Sequence, residues 1–245
     1  IYSGSDEWKS TYEECLKMIE NADSYEDTYP AIKKALSVCG GKHSMFMTKS
    51  ESQDTTESYD EVLPTVSLDG DIAIIKLPDF LVTAEDFLGT AEAGQKYAKV
   101  AEDFIHENRD KIKGVVLDLR GNIGGDMGPM ATAVSSLLPD GELVYYHYRS
   151  YDIPVTLKNG VVSNAGTGGR SLYPEEKLNV PVAILTDDMT ASSGEALTLC
   201  FRGLENTRTF GAPTAGYTSV NMLYNMYDGA QMYLTVAFDK ARTGE

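Results

Sequence analysis

Lys113-Gly114-Val115-Val116-Leu117-Asp118-Leu119-Arg120-Gly121-Asn122-Ile123-Gly124-Gly125 is the stretch on which the fold reading turns. Its first seven residues are short, apolar and β-branched in the middle, as expected of a strand buried on both faces of a parallel sheet. A glycine-rich turn follows, and residues 127–138 then carry a helical pattern. The same order recurs downstream. Residues 180–185 form a second apolar run, Asp187-Asp188-Met189-Thr190 a polar turn, and residues 191–204 a second helical pattern. Strand, turn and helix twice over predict βαβ organisation, with functional groups at the carboxyl ends of the strands.

Working outward, residues 62–68 and 72–77 read as strands joined at Asp69-Gly70, and residues 90–108 as a long amphipathic helix. Ser5 and Asp6 can cap a helix over residues 7–21, and a second helix over 25–38 is stopped by Gly40-Gly41. The polar stretch 48–61 predicts a linker or exposed loop. Strands are expected at 142–149 and 153–157, with Lys158-Asn159-Gly160 turning a hairpin, and at 208–210, 221–227 and 231–238. The expected organisation is an N-terminal helical lobe at 1–47, a linker at 48–61 and an α/β core at 62–245. No internal repeat is visible.

A chain of 245 residues with 42% hydrophobic content can bury a substantial core. A formal net charge of -16 argues against a nucleic-acid partner and favours cationic peptides. Cys15, Cys39 and Cys200 are too few for a disulfide framework or a zinc site of the CxxC type. A Cys15–Cys39 bridge and buried free thiols both fit them. No metal or cofactor is implied. Residues 1–6 do not resemble a signal peptide, and no apolar run reaches membrane-spanning length. The start without Met and the end just after a strand-like run suggest a segment of a longer protein, with any anchor upstream.

Chemistry concentrates at the two turns. Ser192, in Thr190-Ala191-Ser192-Ser193-Gly194-Glu195, stands at the first turn of a helix after a buried strand, where backbone amides point at developing negative charge. The Ser193 amide can serve an oxyanion, and Gly124-Gly125 can supply a second donor unobstructed by side chains. By themselves, the serine reads more readily as a helix cap and the glycines as a tight turn. A nucleophile needs a base, and no lysine follows Ser192 until Lys240. Of the three histidines, His106 reads as a solvated helix residue and His147 as a strand residue. His43 lies in the irregular segment Gly40-Gly41-Lys42-His43-Ser44, which can present an imidazole to a cleft.

Together, residues 117–125 and 190–195 resemble the core of the C-terminal processing peptidases, or tail-specific proteases, over roughly residues 62–238. The resemblance implies a crotonase-like α/β core and cleavage of peptides near their carboxyl termini. Most members carry a Gly-Glu-Lys-Thr-x-Gly-Lys segment ending in the general base. The matching stretch here, Gly211-Ala212-Pro213-Thr214-Ala215-Gly216-Tyr217, puts tyrosine in that place, and a phenol titrating near 10 is a poor base at neutral pH. The chain is closer to the branch that takes a histidine from the N-terminal part, the tricorn-like peptidases and nisin resistance proteins. The shared residues are Gly41-Lys42-His43-Ser44, 190–195, Pro213-Thr214-Ala215-Gly216-Tyr217-Thr218 and Tyr227-Asp228-Gly229-Ala230. The stretch between His43 and Val62 has no room for a PDZ domain, as in nisin resistance proteins.

That resemblance implies catalysis by Ser192 and His43, with the oxyanion held by the amides of Ser193 and of Gly124 or Gly125. Asn122, Tyr217 and Ser44 are expected to position substrate or histidine, and Glu195 to pair with Arg120 or Arg202. A third acid would fall beyond Glu245, which leaves a dyad. It further implies an outward-facing protein, anchored to a membrane through a segment outside this chain, that acts on a peptide such as a cationic lantibiotic. The side chains of Met45, Phe46, Tyr146, Tyr148 and Met222 are candidates to line its groove. Other readings are general tail processing, an inactive peptide-sequestering module and a crotonase-like acyl-CoA enzyme. The last lacks a basic site for CoA phosphates.

Overall fold

The computed structural model describes residues 4–54, 62–81 and 87–245. In chain order the elements are α1 (Asp6–Met18), α2 (Tyr29–Cys39), β1 (Met45–Met47), α3 (Lys49–Asp54), β2 (Thr65–Asp69), β3 (Ile72–Lys76), α4 (Phe87–Asn108), β4 (Gly114–Asp118) and α5 (Met127–Ala133). They continue with β5 (Gly141–His147), β6 (Asp152–Lys158), β7 (Val161–Ser163), β8 (Gly169–Arg170), β9 (Val182–Thr186), α6 (Ser193–Cys200), β10 (Thr207–Gly211), β11 (Ser219–Asn225) and β12 (Gln231–Ala241). The chain divides into two compact units. The smaller comprises Ile1–Ser58, Tyr148–Tyr151 and Ser219–Phe238; the larger comprises Tyr59–His147, Asp152–Thr218 and Asp239–Glu245. Residues 219–238, which the sequence reading places in a core running from 62 to 245, thus cluster with the N-terminal helices.

In the smaller unit, Ser5 caps α1 by accepting from the Trp8 amide at 3.1 Å, and Pro30 sits in the first turn of α2, where a missing N–H costs nothing. β12 pairs antiparallel with β1 and with β11. Leu36, Phe46 and Ala230 form a small core, packed by Tyr29, Ile32, Met226, Met232 and Leu234. The Tyr29 hydroxyl donates to Asp228 at 2.6 Å, tying α2 to the β11–β12 turn. The tail strands thus complete the small core of the lobe. Cys15 and Cys39 are free thiols, and Cys15 donates to the Ala31 carbonyl.

Part of the expected linker at 48–61 is helical. Thr48 Oγ1 accepts from the Glu51 amide while Glu51 returns a carboxylate oxygen to the Thr48 amide at 2.7 Å, a reciprocal cap that starts α3. Residues 55–61 lie outside the described residues.

The larger unit holds a five-stranded sheet ordered β10-β9-β4-β3-β2, in which β2 alone runs antiparallel to its neighbour. Leu117 and Leu119 on one side of the first motif and Ile184 on β9 are fully buried, together with Ile75, Leu77, Tyr97, Leu197 and Phe201. Burying such side chains stabilises by about 1.5–3 kcal/mol each, so this one cluster anchors both turns that follow β4 and β9. β5 to β8 form an antiparallel ladder, and the β6–β7 turn uses positive φ at both Asn159 (48°) and Gly160 (70°). The helix expected at 127–138 ends at Ala133 and continues as a 3-10 turn over Ser135–Leu137.

Candidate active site

The turns after β4 and β9 are stitched together by four contacts. Asp187 accepts from the Gly121 amide at 3.0 Å, and the Thr190 hydroxyl donates to the Leu119 carbonyl at 2.9 Å. The Ala191 amide donates to the Asn122 carbonyl at 2.9 Å, and the Ser193 hydroxyl to the Gly125 carbonyl at 2.5 Å. The amide of Gly121, with those of Met189 and Thr190, holds the Asp187 carboxyl below the usual aspartate range. Arg120 is spent on a bidentate pair with Asp118 at 2.9 and 2.8 Å, and Arg202 on Glu245.

Ser192 is not helical. It has φ 50° and ψ -119°, a conformation that L side chains rarely adopt, so α6 begins at Ser193 and not at residue 191. Such a residue persists only where its surroundings over-determine it. Glu195 is the main reason. Its carboxylate is 2% exposed and accepts four bonds. Oε2 takes the amides of Ser192 (3.0 Å) and Tyr217 (2.7 Å), and Oε1 takes the Thr214 hydroxyl (2.6 Å) and the Gly216 amide (2.9 Å). Glu195 is therefore structural, as the sequence suggests, but its partners are the serine turn and the 214–217 loop and neither arginine.

Asn122 is completely buried. Its Nδ2 donates to the carbonyls of Leu77 and Pro78 at 3.0 Å, and its Oδ1 accepts from the Gly124 amide at 2.9 Å. It shapes the glycine turn from beneath. The Gly124 N–H is thereby engaged. The Gly124 carbonyl accepts from the Phe80 amide at 3.0 Å, and in a trans peptide the Gly125 N–H then points the opposite way. Among the described residues neither the Gly125 nor the Ser193 amide finds a protein acceptor. Both glycines are required: at φ 111° a Cβ on Gly124 would lie 2.7 Å from Ser192 Cβ, and at φ 99° one on Gly125 would lie 2.0 Å from the Phe80 carbonyl.

Tyr217 is held through its amide by Glu195. His43 belongs to the smaller unit, where Nδ1 lies 3.0 Å from Ser219 Oγ and the carbonyl accepts from Asn221 Nδ2 at 2.8 Å. Ser44 is a clamp on this segment: its hydroxyl donates to the Gly40 carbonyl and accepts from the Thr235 amide at 2.9 Å. The other histidines are engaged at the surface, His106 with Glu176 and stacked on Tyr173, His147 with Asp152. Among the described residues no group of three or more His, Cys, Asp or Glu side chains could hold a metal ion.

Asp239, which sequence reading passes over, lies close enough to Glu195 to feel its charge. Burial first, and that charge second, push its carboxyl from the ordinary 3.8 up to about 7. Between pH 4 and 7 the unfolded chain has released this proton while the native one keeps it, so the unfolded state binds fewer protons and stability falls as pH rises. The loss amounts to about 2–4 kcal/mol and levels off above pH 7. Asp239→Asn is expected to remove this component. The mutant-minus-wild-type difference in Tm should grow from pH 4 to pH 7, and a difference independent of pH would contradict the assignment.

The sequence pattern of peptidase family S41 matches residues 71–245, which include β4, β9 and both turns. The chain belongs to peptidase family S41. Among its S41 relatives, a nisin-resistance protein from Lactococcus lactis subsp. lactis is 36% identical over 244 residues, covering 99% of this chain and 74% of that protein. A lipoprotein of known structure from Streptococcus agalactiae superposes with a TM-score of 0.80 at 30% identity, over 100% of this chain and 81% of that one. Carboxy-terminal processing protease CtpA of Bacillus subtilis (strain 168) is 30% identical over 141 residues, 57% of this chain and 28% of CtpA. The S41 assignment accounts for both motifs that the sequence singles out.

Proposed function

We propose that this S41 chain is a serine peptidase that cleaves peptides near their carboxyl termini, with Ser192 as nucleophile and His43 as general base. The observation that carries the reading is Ser192 itself, held at φ 50° at the cap of α6 beside two amides that find no acceptor among the described residues. In the proposed reaction the His43 imidazole takes the Ser192 hydroxyl proton as Oγ attacks the scissile carbonyl. The Ser193 and Gly125 amides receive the oxyanion. Each such donor contributes about 2.7–4 kcal/mol to barrier lowering. The imidazolium then protonates the leaving amine, and water repeats the sequence on the acyl-enzyme.

The relative named for nisin resistance supports a lantibiotic-like, cationic peptide as the substrate class, and the net charge of -16 fits attraction of such a peptide. The same relative and the Streptococcus lipoprotein support a place at the cell surface. No helix among the described residues is long and apolar enough to cross a membrane, so anchoring is proposed to come from a segment outside this chain. The parallel β3-β4-β9 order, with both functional turns at the carboxyl ends, supports a crotonase-like core. A core without a PDZ domain between His43 and β2 completes the proposal.

The test is incubation with nisin and with an unmodified cationic peptide, with products read by mass spectrometry beside Ser192→Ala. Loss of a carboxyl-terminal fragment from nisin alone, only with Ser192 present, is the expected result. Cleavage of both peptides would replace lantibiotic specificity by general tail processing. Cleavage of neither, or cleavage by Ser192→Ala, would overturn the peptidase reading.

A further inference from the structure

A general base must present a lone pair on one ring nitrogen, and a neutral imidazole does so only if the other nitrogen keeps the proton. In many hydrolytic sites a carboxylate enforces this. The Nδ1 of His43 faces Ser219 Oγ at 3.0 Å. The surrounding bonds fix the histidine segment onto the two strands that carry this contact. Asn221 Nδ2 holds the His43 carbonyl, Thr235 Oγ1 donates to Asn221 Oδ1 at 2.8 Å, and the Thr235 amide donates to Ser44 Oγ. Ser219 opens β11 opposite Phe238 on β12, and the ladder shifts register immediately afterwards, between Val220 and Asn221. An irregularity at that place re-aims side chains near the strand end, a common use of bulges beside functional residues.

We propose that Ser219 is the positioning residue of His43. Its hydroxyl accepts the Nδ1 proton, which leaves the Nε2 lone pair to receive the Ser192 proton. This rests on the reading of His43 as base. Because Ser219 is neutral, its contact gives the imidazolium formed during the reaction a hydrogen bond. Placing a carboxylate there would favour the charged ring and raise the acidic limb of the pH profile by about one unit or more. Ser219 and His43 are 176 positions apart, and neither composition nor motif links them.

The experiment compares the pH dependence of kcat/KM in wild type, Ser219→Ala, Ser219→Thr and Ser219→Asp, together with the 15N spectra of the imidazoles, of which the chain has three. Ser219→Ala should lower kcat by at least about tenfold with KM little changed, less than the about 10²–10⁴ expected for loss of the base itself. Its His43 signals should shift from an Nδ1-protonated ring toward a mixture of tautomers. Ser219→Thr should restore both readouts, and Ser219→Asp should move the acidic limb upward. His43→Ala is measured in parallel. If it is inactive while Ser219→Ala keeps wild-type kcat and an unchanged His43 tautomer, the Ser219 role is overturned and the base assignment stands. If His43→Ala retains turnover, the base assignment fails and the role of Ser219 fails with it. Melting temperatures of all variants separate these effects from misfolding.

Discussion

Glu195→Ala is expected to lower the melting temperature by about 10 °C and to remove peptide turnover. The carboxylate accepts three backbone amides and a hydroxyl in a site that is almost fully buried. Leaving a buried donor unsatisfied costs about 1–3 kcal/mol, and water entering the gap recovers part of that. A net loss of about 3–5 kcal/mol at about 2–4 °C per kcal/mol gives the stated shift. Glu195→Gln is a sharper version. Each carboxylate oxygen faces two donors, so whichever way the amide is turned, its NH2 confronts two N–H or O–H groups. Glutamine is therefore expected to be destabilising as well, whereas a side chain acting only by its volume would tolerate it. Thermal melts of the two variants decide. The activity loss follows from geometry, since the Ser192 amide bond to Glu195 helps hold the proposed nucleophile at positive φ.

The contrast between what the chain states locally and what it states only in three dimensions runs through this protein. β4 and β9 are legible because strands inside a parallel sheet are apolar throughout; Val115, Leu117, Val182 and Ile184 are buried, and Val116, Ala183 and Leu185 on the other face are half-buried. The glycine turn is legible because few residue types tolerate the backbone of Gly124 and Gly125. α3 carries a readable signal, the Thr48 and Glu51 cap, which the polar composition of 48–61 obscures. The partners of Glu195 are harder. Charge complementarity points to Arg120 or Arg202, but a buried carboxylate can equally be satisfied by backbone amides, which no sequence pattern advertises. That the Gly124 peptide is engaged on both its N–H and its carbonyl depends on a side-chain bond from Asn122 and a backbone bond from Phe80. The grouping of Ser219–Phe238 with the N-terminal helices likewise rests on pairing between distant segments, β1 with β12, and on the shared core of Leu36, Phe46 and Ala230.

Ser192 carries the largest expected effect on activity. Ser192→Ala should reduce peptide turnover by a factor on the order of 10⁴ or more, since a covalent route without its nucleophile leaves only the binding and oxyanion contributions. Alanine keeps the strained backbone, so its melting temperature should stay near wild type. Ser192→Gly should be equally inactive yet more stable by about 1 kcal/mol, because glycine adopts φ 50° without penalty. The most direct measurement is reaction with a fluorophosphonate, followed by intact-mass and peptide mass spectrometry. The account predicts one stoichiometric adduct on Ser192, absent from Ser192→Ala and much slower to form in His43→Ala. Labelling of another serine, or an equal labelling rate without His43, would contradict it.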